Sequence, residues 1–171
     1  YIDQNDYVSA KKFILEALRV YDTTEDQTIR RQSPCRLYCD LADTYPFGSD
    51  SIRINVNKAF ATSKQHMDTL RSRYYLAKLA ALDGDIPAYE VSRDYYLRDP
   101  QARSISKSGP EFFGLLDAVI EGRIDGREEE ILALERIRET KLVANLCEQR
   151  GYKDLAFDLE KKLVQRLETA M

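Results

Sequence analysis

Apolar residues recur at intervals of three and four along most of the chain, which is the spacing of amphipathic helices. The first such stretch carries one apolar stripe, formed by Tyr7, Ala10, Ile14, Ala17, Leu18 and Tyr21. Strand-like alternation comes closest at 51–56, where the continuation through Phe60 fits a helix better. The pattern predicts an all-α chain whose helices cover 6–22, 34–45, 50–65, 68–83, 86–98, 110–121, 127–138, 139–150 and 152–169.

Glycine and proline separate these apolar stretches. Six of the seven glycines are predicted to lie in turns or loops, namely Gly48, Gly84, Gly109, Gly122, Gly126 and Gly151. Only Gly114 falls inside a helical pattern. Because the connections are mostly short, consecutive helices must lie antiparallel. A string of such hairpins forms either a bundle or a solenoid, and internal repeats distinguish the two.

Small residues recur near the middle of alternate predicted helices. Ala42, Ala77 and Ala144 are separated by 35 and 67 residues, so the second interval is close to twice the first. A degenerate unit around Gly114 fits between the last two. Helices in a hairpin approach closely only where their side chains are short, so small residues are expected at the contacts. A period of about 34 residues favours a repeat architecture of helix pairs.

Three segments resemble units of the tetratricopeptide repeat (TPR) family. NDYVSAKKFILEALRVYD resembles the second half of a unit, with Asn5 and Asp6 at the turn. LAKLAALDGDIPAYEVSRDYYLRDP resembles nearly a whole unit, with Gly84 and Asp85 at its turn. VANLCEQRGYKDLAFDLEKKL resembles another, with Gly151 at the turn. A turn glycine permits the left-handed conformation that ends a helix.

The resemblance implies a right-handed superhelix of antiparallel helix hairpins, a TPR-like α-solenoid, in one domain covering 1–171. Its approximate units are 1–22 (partial), 34–65, 68–100, 110–138 and 139–171. Linkers 23–34 and 101–110 are longer than the family uses, and the looser solenoids of vesicle-coat and proteasome-lid subunits stay an alternative. Because solenoid ends need capping and the first unit lacks its first helix, the chain is expected to be cut from a longer protein or capped by a partner.

Composition narrows the classes of function. Hydrophobic residues make up 43% and charged residues 32% of the 171 residues, which suits a globular domain and not a disordered one. The net charge of −3 disfavours nucleic-acid binding, which needs a cationic surface. No apolar run approaches the ~20 residues that cross a bilayer, so membrane insertion is not expected. Three cysteines without a CxxC spacing indicate a reducing, cytoplasmic location.

The sequence offers no recognisable catalytic constellation. His66 is the only histidine, predicted at the exposed end of a helix. Cys35 and Cys39 share a helix face but lack the further ligands of a zinc site, so they are interpreted as small packing residues. The acidic run 128–130 opens a helix, where negative charge suits the helix dipole. Without a phosphate-binding or dinucleotide fingerprint, the chain is predicted not to be an enzyme and to need no cofactor or metal.

The resemblance also implies a binding groove, lined by the first helices of successive units. Carried over position by position, the groove-facing residues are Arg36, Cys39 and Asp43, then Arg71, Tyr74 and Lys78, then Arg138, Lys141, Asn145 and Glu148. From these, the predicted partner-binding residues are Arg36, Arg71, Tyr74, Lys78, Arg138, Lys141 and Asn145. Cations outnumber carboxylates in this set, so an acidic ligand is expected.

These observations predict a protein–protein interaction module that binds a peptide or helix of another protein in that groove. Lys141 and Asn145 resemble one part of the carboxylate clamp of chaperone-binding members of the family. One alternative is a regulatory or sensor segment of a larger protein, such as a transcriptional regulator or signalling ATPase. The other is a coat- or lid-type solenoid subunit. No nucleic acid is expected as a partner.

Overall fold

The computed structural model describes residues 7–46 and 49–169, and this part of the chain folds into eleven helices without a strand. Their bounds are α1 Tyr7–Thr23, α2 Gln27–Arg31, α3 Cys35–Ala42, α4 Asp50–Ala61, α5 His66–Asp83, α6 Ile86–Leu97, α7 Ala102–Ile105, α8 Gly109–Glu121, α9 Glu128–Leu132, α10 Ile137–Gln149 and α11 Lys153–Thr169. The predicted all-α class is confirmed. Gly48, expected in a turn, and the Asn5–Asp6 turn lie outside the described residues.

Several helix boundaries differ from those predicted. The short helices α2 and α7 lie in the segments predicted as linkers. The predicted helix 127–138 is wrong at its end, because α9 stops at Leu132 and Ile137 already belongs to α10. Two helices on different axes need non-helical residues between them, and 133–136 supply these, ending on Arg136 with ψ of 120°. His66 begins α5 and does not end the preceding helix, since α4 stops at Ala61.

Local chemistry accounts for the tight turn between α5 and α6. Gly84 follows α5 with φ of 72°, a left-handed conformation that glycine adopts without strain. The side chain of Asp85 then accepts a hydrogen bond from the backbone N–H of Ala88, while Pro87 occupies the first turn of α6. Gly122 and Gly151 follow α8 and α10 in the same conformation. These three glycines therefore lie at the turns where they were predicted.

Three antiparallel hairpins form most of the fold: α3 with α4, α5 with α6, and α10 with α11. The central helix is α5, which packs against α3 and α4 on one side and against α7 and α10 on the other. The α8 helix packs against α7 and α10, and α1 covers α3. None of the described helices is both long and apolar enough to span a membrane.

An aromatic cluster forms the centre of the main core. Phe113 of α8 lies 5.5 Å from the ring of Tyr74, 5.4 Å from Tyr96 and 5.7 Å from Phe112, measured between ring centroids. The hydroxyl of Tyr96 donates to the backbone carbonyl of Ala102, 2.7 Å away. This cluster joins α5, α6 and α8, and the buried tyrosine hydroxyl keeps a hydrogen-bond partner, as burial requires.

The small residues that suggested the repeat lie where helices meet. Ala42, Ala77 and Ala144 are all buried, with at most 2% of their surface exposed. A separate small cluster contains Cys35 and Cys39, both free thiols and fully buried, together with Ala59. The prediction that these two cysteines are packing residues agrees with their burial. Each of these positions lets two helices approach closely because little side chain separates them.

The two glycines of α8 should respond oppositely to replacement by alanine. A methyl group at Gly109 would overlap the buried Tyr96 hydroxyl, whereas a methyl group at Gly114 would meet open space. Gly109→Ala is expected to lower the free energy of unfolding by about 1–3 kcal/mol through overpacking. Gly114→Ala is expected to raise it by roughly 0.5–1 kcal/mol, because alanine loses less backbone entropy in a helix. Urea unfolding followed by circular dichroism measures both, and equal effects would contradict the packing around Tyr96.

Candidate binding cavity beside the central helix

A cavity of about 400 Å³ opens between the C-terminal end of α3, the middle of α5 and the N-terminal end of α10. We refer to it as the α5–α10 cavity. Its lining residues are Tyr7, Asp43, Tyr74, Tyr75, Lys78, Glu135, Arg136, Ile137, Arg138 and Glu139. The volume falls in the range of about 300–1,000 Å³ that is usual for ligand sites. The lining contains aromatic rings and charged groups of both signs. What the cavity can bind depends on which of these charged groups already have partners within the protein.

Two carboxylates of the cavity are held by tyrosine hydroxyls. Tyr74 donates to Glu139 over 2.7 Å, and Tyr75 donates to Asp43 over 2.5 Å. Glu139 is only 3% exposed, and the guanidinium of Arg136 lies 3.5 Å from its carboxylate. A buried carboxylate with a hydroxyl donor and a nearby cation is a satisfied group. The carboxylates of Asp43 and Glu139 therefore already have hydrogen-bond partners within the protein.

The same contacts keep the two tyrosines protonated. Burial raises the pKa of Tyr74, and the neighbouring Glu139 charge and hydrogen bond raise it further. Burial likewise raises the pKa of Tyr75 well above its ordinary value, with Asp43 adding to the effect. An ionised tyrosine beside a carboxylate would bring two negative charges together in a poorly solvated place. Both hydroxyls consequently act as hydrogen-bond donors at neutral pH.

Arg138 is also committed to the fold. One of its terminal nitrogens donates to the backbone carbonyl of Tyr45 over 2.6 Å. The other lies 3.7 Å from the carboxylate of Asp43, and the guanidinium stacks 5.6 Å from the ring centroid of Tyr7. Arg138 thus ties the start of α10 to the segment that follows α3 and to α1.

Lys78 differs from the other cations of the cavity. Its ammonium nitrogen lies 5.0 Å from the ring centroid of Tyr74, 5.5 Å from that of Tyr75 and 5.9 Å from that of Phe112. Among the described residues it makes no ion pair and no hydrogen bond. Aromatic faces stabilise a cation by cation–π attraction but leave its N–H donors unfilled. The Lys78 ammonium can therefore donate to a ligand.

The structure brings three of the seven predicted binding residues into this cavity, namely Tyr74, Lys78 and Arg138. Arg36 lies on the exposed side of α3, 3.6 Å from Asp40. Arg71 is half-buried on α5 near that same carboxylate, whose pKa is raised by burial and lowered in part by both arginines. None of the remaining four residues lines the cavity.

Lys141 and Asn145 lie farther along α10. The ammonium of Lys141 is 2.5 Å from the carboxylate of Glu160, an ion pair across the α10–α11 hairpin, and Asn145 is half-buried. Of the other mapped groove positions, Cys39 is buried, Glu148 is exposed and Asp43 lines the cavity. The excess of cations expected for the groove is absent from the cavity lining, where Lys78, Arg136 and Arg138 face three carboxylates.

Sequence reasoning missed six of the ten residues that line the cavity. Glu135, Arg136, Ile137 and Glu139 come from the segment where one predicted helix ran directly into the next. Tyr75 packs against the main core, and its hydroxyl also donates to Asp43. A buried glutamate at 139 leaves no periodic signal, because its partner Tyr74 lies 65 positions earlier in the chain.

Comparisons with protein-family models, curated proteins and solved structures found no match to this chain. The resemblance to the TPR family therefore stays a prediction drawn from the residues. Within the described residues, no group of three or more histidine, cysteine, aspartate or glutamate side chains is placed to hold a metal ion. The single histidine, His66, pairs with Asp99 over 2.6 Å at the start of α5.

Removal of the Tyr74 hydroxyl should destabilise the fold through Glu139. Tyr74→Phe leaves that buried carboxylate without its 2.7 Å donor, which is expected to cost about 1–3 kcal/mol of unfolding free energy. The matched control is Tyr95→Phe, since Tyr95 is 40% exposed, and a change within about 0.5 kcal/mol is expected there. Chemical denaturation of both variants measures the difference. Equal stabilities would show that Glu139 does not depend on this hydrogen bond.

Proposed function

We propose that this chain is a protein–protein interaction module that binds an acidic segment of a partner protein in the α5–α10 cavity. The observation that carries the proposal is the Lys78 ammonium, which lies over three aromatic rings without an anionic partner among the described residues. A partly desolvated cation of this kind gains most from a carboxylate that reaches it. The partner's aspartate, glutamate or terminal carboxylate would accept its hydrogen bonds.

The rest of the lining would orient such a ligand. Asp43 and Glu139 accept hydrogen bonds from Tyr75 and Tyr74, and neither forms an ion pair with Lys78. Their negative charges repel a carboxylate that enters in the wrong place. The ring faces of the tyrosines offer apolar contact for the stem of a ligand side chain. A ligand is therefore favoured when it places a single carboxylate over Lys78 and keeps apolar groups against the tyrosines.

The architecture proposed for this role is a TPR-like right-handed solenoid, in which the hairpins α3–α4, α5–α6 and α10–α11 are the better-formed units. Support comes from the packing of α5 against both α3 and α10, which are the first helices of the flanking hairpins. Small residues at their contacts and glycine-ended helices are the features that such units share. The proposed role is binding and assembly without catalysis.

The test removes the Lys78 charge while it keeps the length of the side chain. A fluorescein-labelled peptide of alternating glutamate and leucine is the probe, with alternating lysine and leucine as its charge-reversed counterpart. Lys78→Met is expected to weaken binding of the acidic peptide about tenfold or more, since a charge-assisted hydrogen bond contributes about 1.5–3 kcal/mol. Fluorescence anisotropy at fixed ionic strength measures the dissociation constants.

The matched control is Lys107→Met, because Lys107 is an exposed lysine outside the cavity lining. It should leave the affinity within about twofold, since a distant surface charge acts only through a screened field. Equal losses in both variants would mean that the peptide senses overall charge only. Tighter binding of the lysine peptide than of the glutamate peptide would overturn the proposal.

A further inference from the structure

A second concave surface lies on a different side of the central helix. It has a volume of about 610 Å³ and lies between α4, α5 and α6. We refer to it as the α4–α6 groove. Its lining includes Arg73, which is five positions before Lys78 on α5 and so points about 140° away from it around the helix axis. The groove and the α5–α10 cavity share no lining residue.

Arg73 is held in the groove by stacking and not by a carboxylate. Its guanidinium carbon lies 4.8 Å from the ring centroid of Phe60 and 5.4 Å from that of Tyr95. One terminal nitrogen reaches the hydroxyl of Ser92 over 3.5 Å, and the buried Nε has no acceptor at all. Stacking between two rings fixes the plane of the guanidinium but fills few of its five donors.

The acidic groups of the groove are already engaged. Asp83 receives two hydrogen bonds from Arg53, at 2.5 and 2.7 Å. Asp85 accepts the backbone N–H of Ala88 and thereby caps α6. Arg73 therefore has no compensating carboxylate among the described residues, although half-buried charges are normally paired. The terminal nitrogens of that guanidinium can therefore donate to the carboxylate of a ligand.

Aliphatic side chains surround this cation. The apolar part of the lining is formed by Leu76, Leu79, Ala80, Pro87, Ala88 and Val91. Val91 is 63% exposed and Phe60 is 40% exposed, so both offer apolar surface that a ligand can cover. The lining contains two guanidinium groups and two carboxylates, and Arg53 is already paired with Asp83. A multiply charged phosphate group, which needs clustered free cations, is therefore disfavoured. A monoanionic carboxylate with aliphatic neighbours matches the charge and the apolar surface together.

We propose that the α4–α6 groove is a second binding site, which takes a short partner peptide with one aspartate or glutamate flanked by aliphatic residues. The carboxylate accepts hydrogen bonds from the terminal nitrogens of Arg73, and the flanking side chains cover Val91 and the leucines of α5. This inference does not rest on the α5–α10 cavity, because a different helix face and different residues carry it.

The probe for this site is the blocked peptide Gly-Ser-Leu-Leu-Asp-Leu-Leu-Ser-Gly, titrated into isotopically labelled protein and followed by amide chemical shifts. Shifts are expected to concentrate at Asn57, Val91 and Ser92. The variants Arg73→Met and Val91→Glu should each weaken binding about tenfold or more, the second because its carboxylate competes for Arg73. Replacing the aspartate of the peptide by asparagine should weaken binding to a similar extent.

Two control variants distinguish binding at the α4–α6 groove from binding elsewhere on the protein. Val164→Glu changes another exposed valine, 53% exposed on α11, and should leave the affinity unchanged. Lys78→Met should also leave it unchanged, so loss of the α5–α10 site does not mimic loss of this one. Val91 is exposed, so Val91→Glu should fold normally even where Arg73→Met perturbs the stacking; circular dichroism checks both.

Several results would overturn the proposal. The proposal is wrong if the peptide does not bind, or if the shifts concentrate at the α5–α10 cavity. It is also wrong if the asparagine peptide binds with equal affinity, because the carboxylate would then not be recognised. Sedimentation of the unliganded protein tests whether a second copy of this chain occupies the groove instead of a peptide. A dimer that Val91→Glu dissociates would assign the groove to a second copy of this chain, and not to a peptide.

Discussion

The hydrogen bond from Tyr74 to Glu139 and the packing of the Tyr74 ring join the two halves of the chain. The ring contacts Tyr96 of α6 and Phe113 of α8, and the hydroxyl reaches the start of α10, 65 positions later. Arg138, the residue beside Glu139, donates to the carbonyl of Tyr45 in the segment that follows α3. These contacts fix α10 against α5. The cavity beside Lys78 exists because of that placement.

Most of the half-buried charged groups serve the fold in the same way. Arg93 of α6 lies 2.5 Å from Asp117 of α8, which also accepts a hydrogen bond from Tyr89. Such networks hold neighbouring helices in one arrangement, because a half-buried charge is stable only with its partner in place. Lys78 and Arg73 depart from this pattern, and the two proposals rest on them. Each contacts aromatic rings and forms no ion pair with a carboxylate among the described residues.

How far the sequence predicted the site can be judged from individual residues. Tyr74 and Lys78 were placed on a groove-facing side of their helix by the resemblance to the TPR family, and both line the cavity. Lys141 has the same helical spacing, but it faces α11 and pairs with Glu160. Helical periodicity states which residues share a face, and it does not state which other helix covers that face. For that reason Arg136, which directly precedes α10, and Glu139, in the first turn of α10, were not predicted to line the site.

By itself, the sequence determined the helices and many of their ends. Apolar spacing of three and four residues, a left-handed glycine at position 84 and a capping aspartate at position 85 act within a few residues, so they can be read locally. Only the tertiary structure decided that α10 lies on α5 and that Arg73 stacks between Phe60 and Tyr95. Those contacts join residues far apart along the chain, and their energy depends on burial, which no local pattern records.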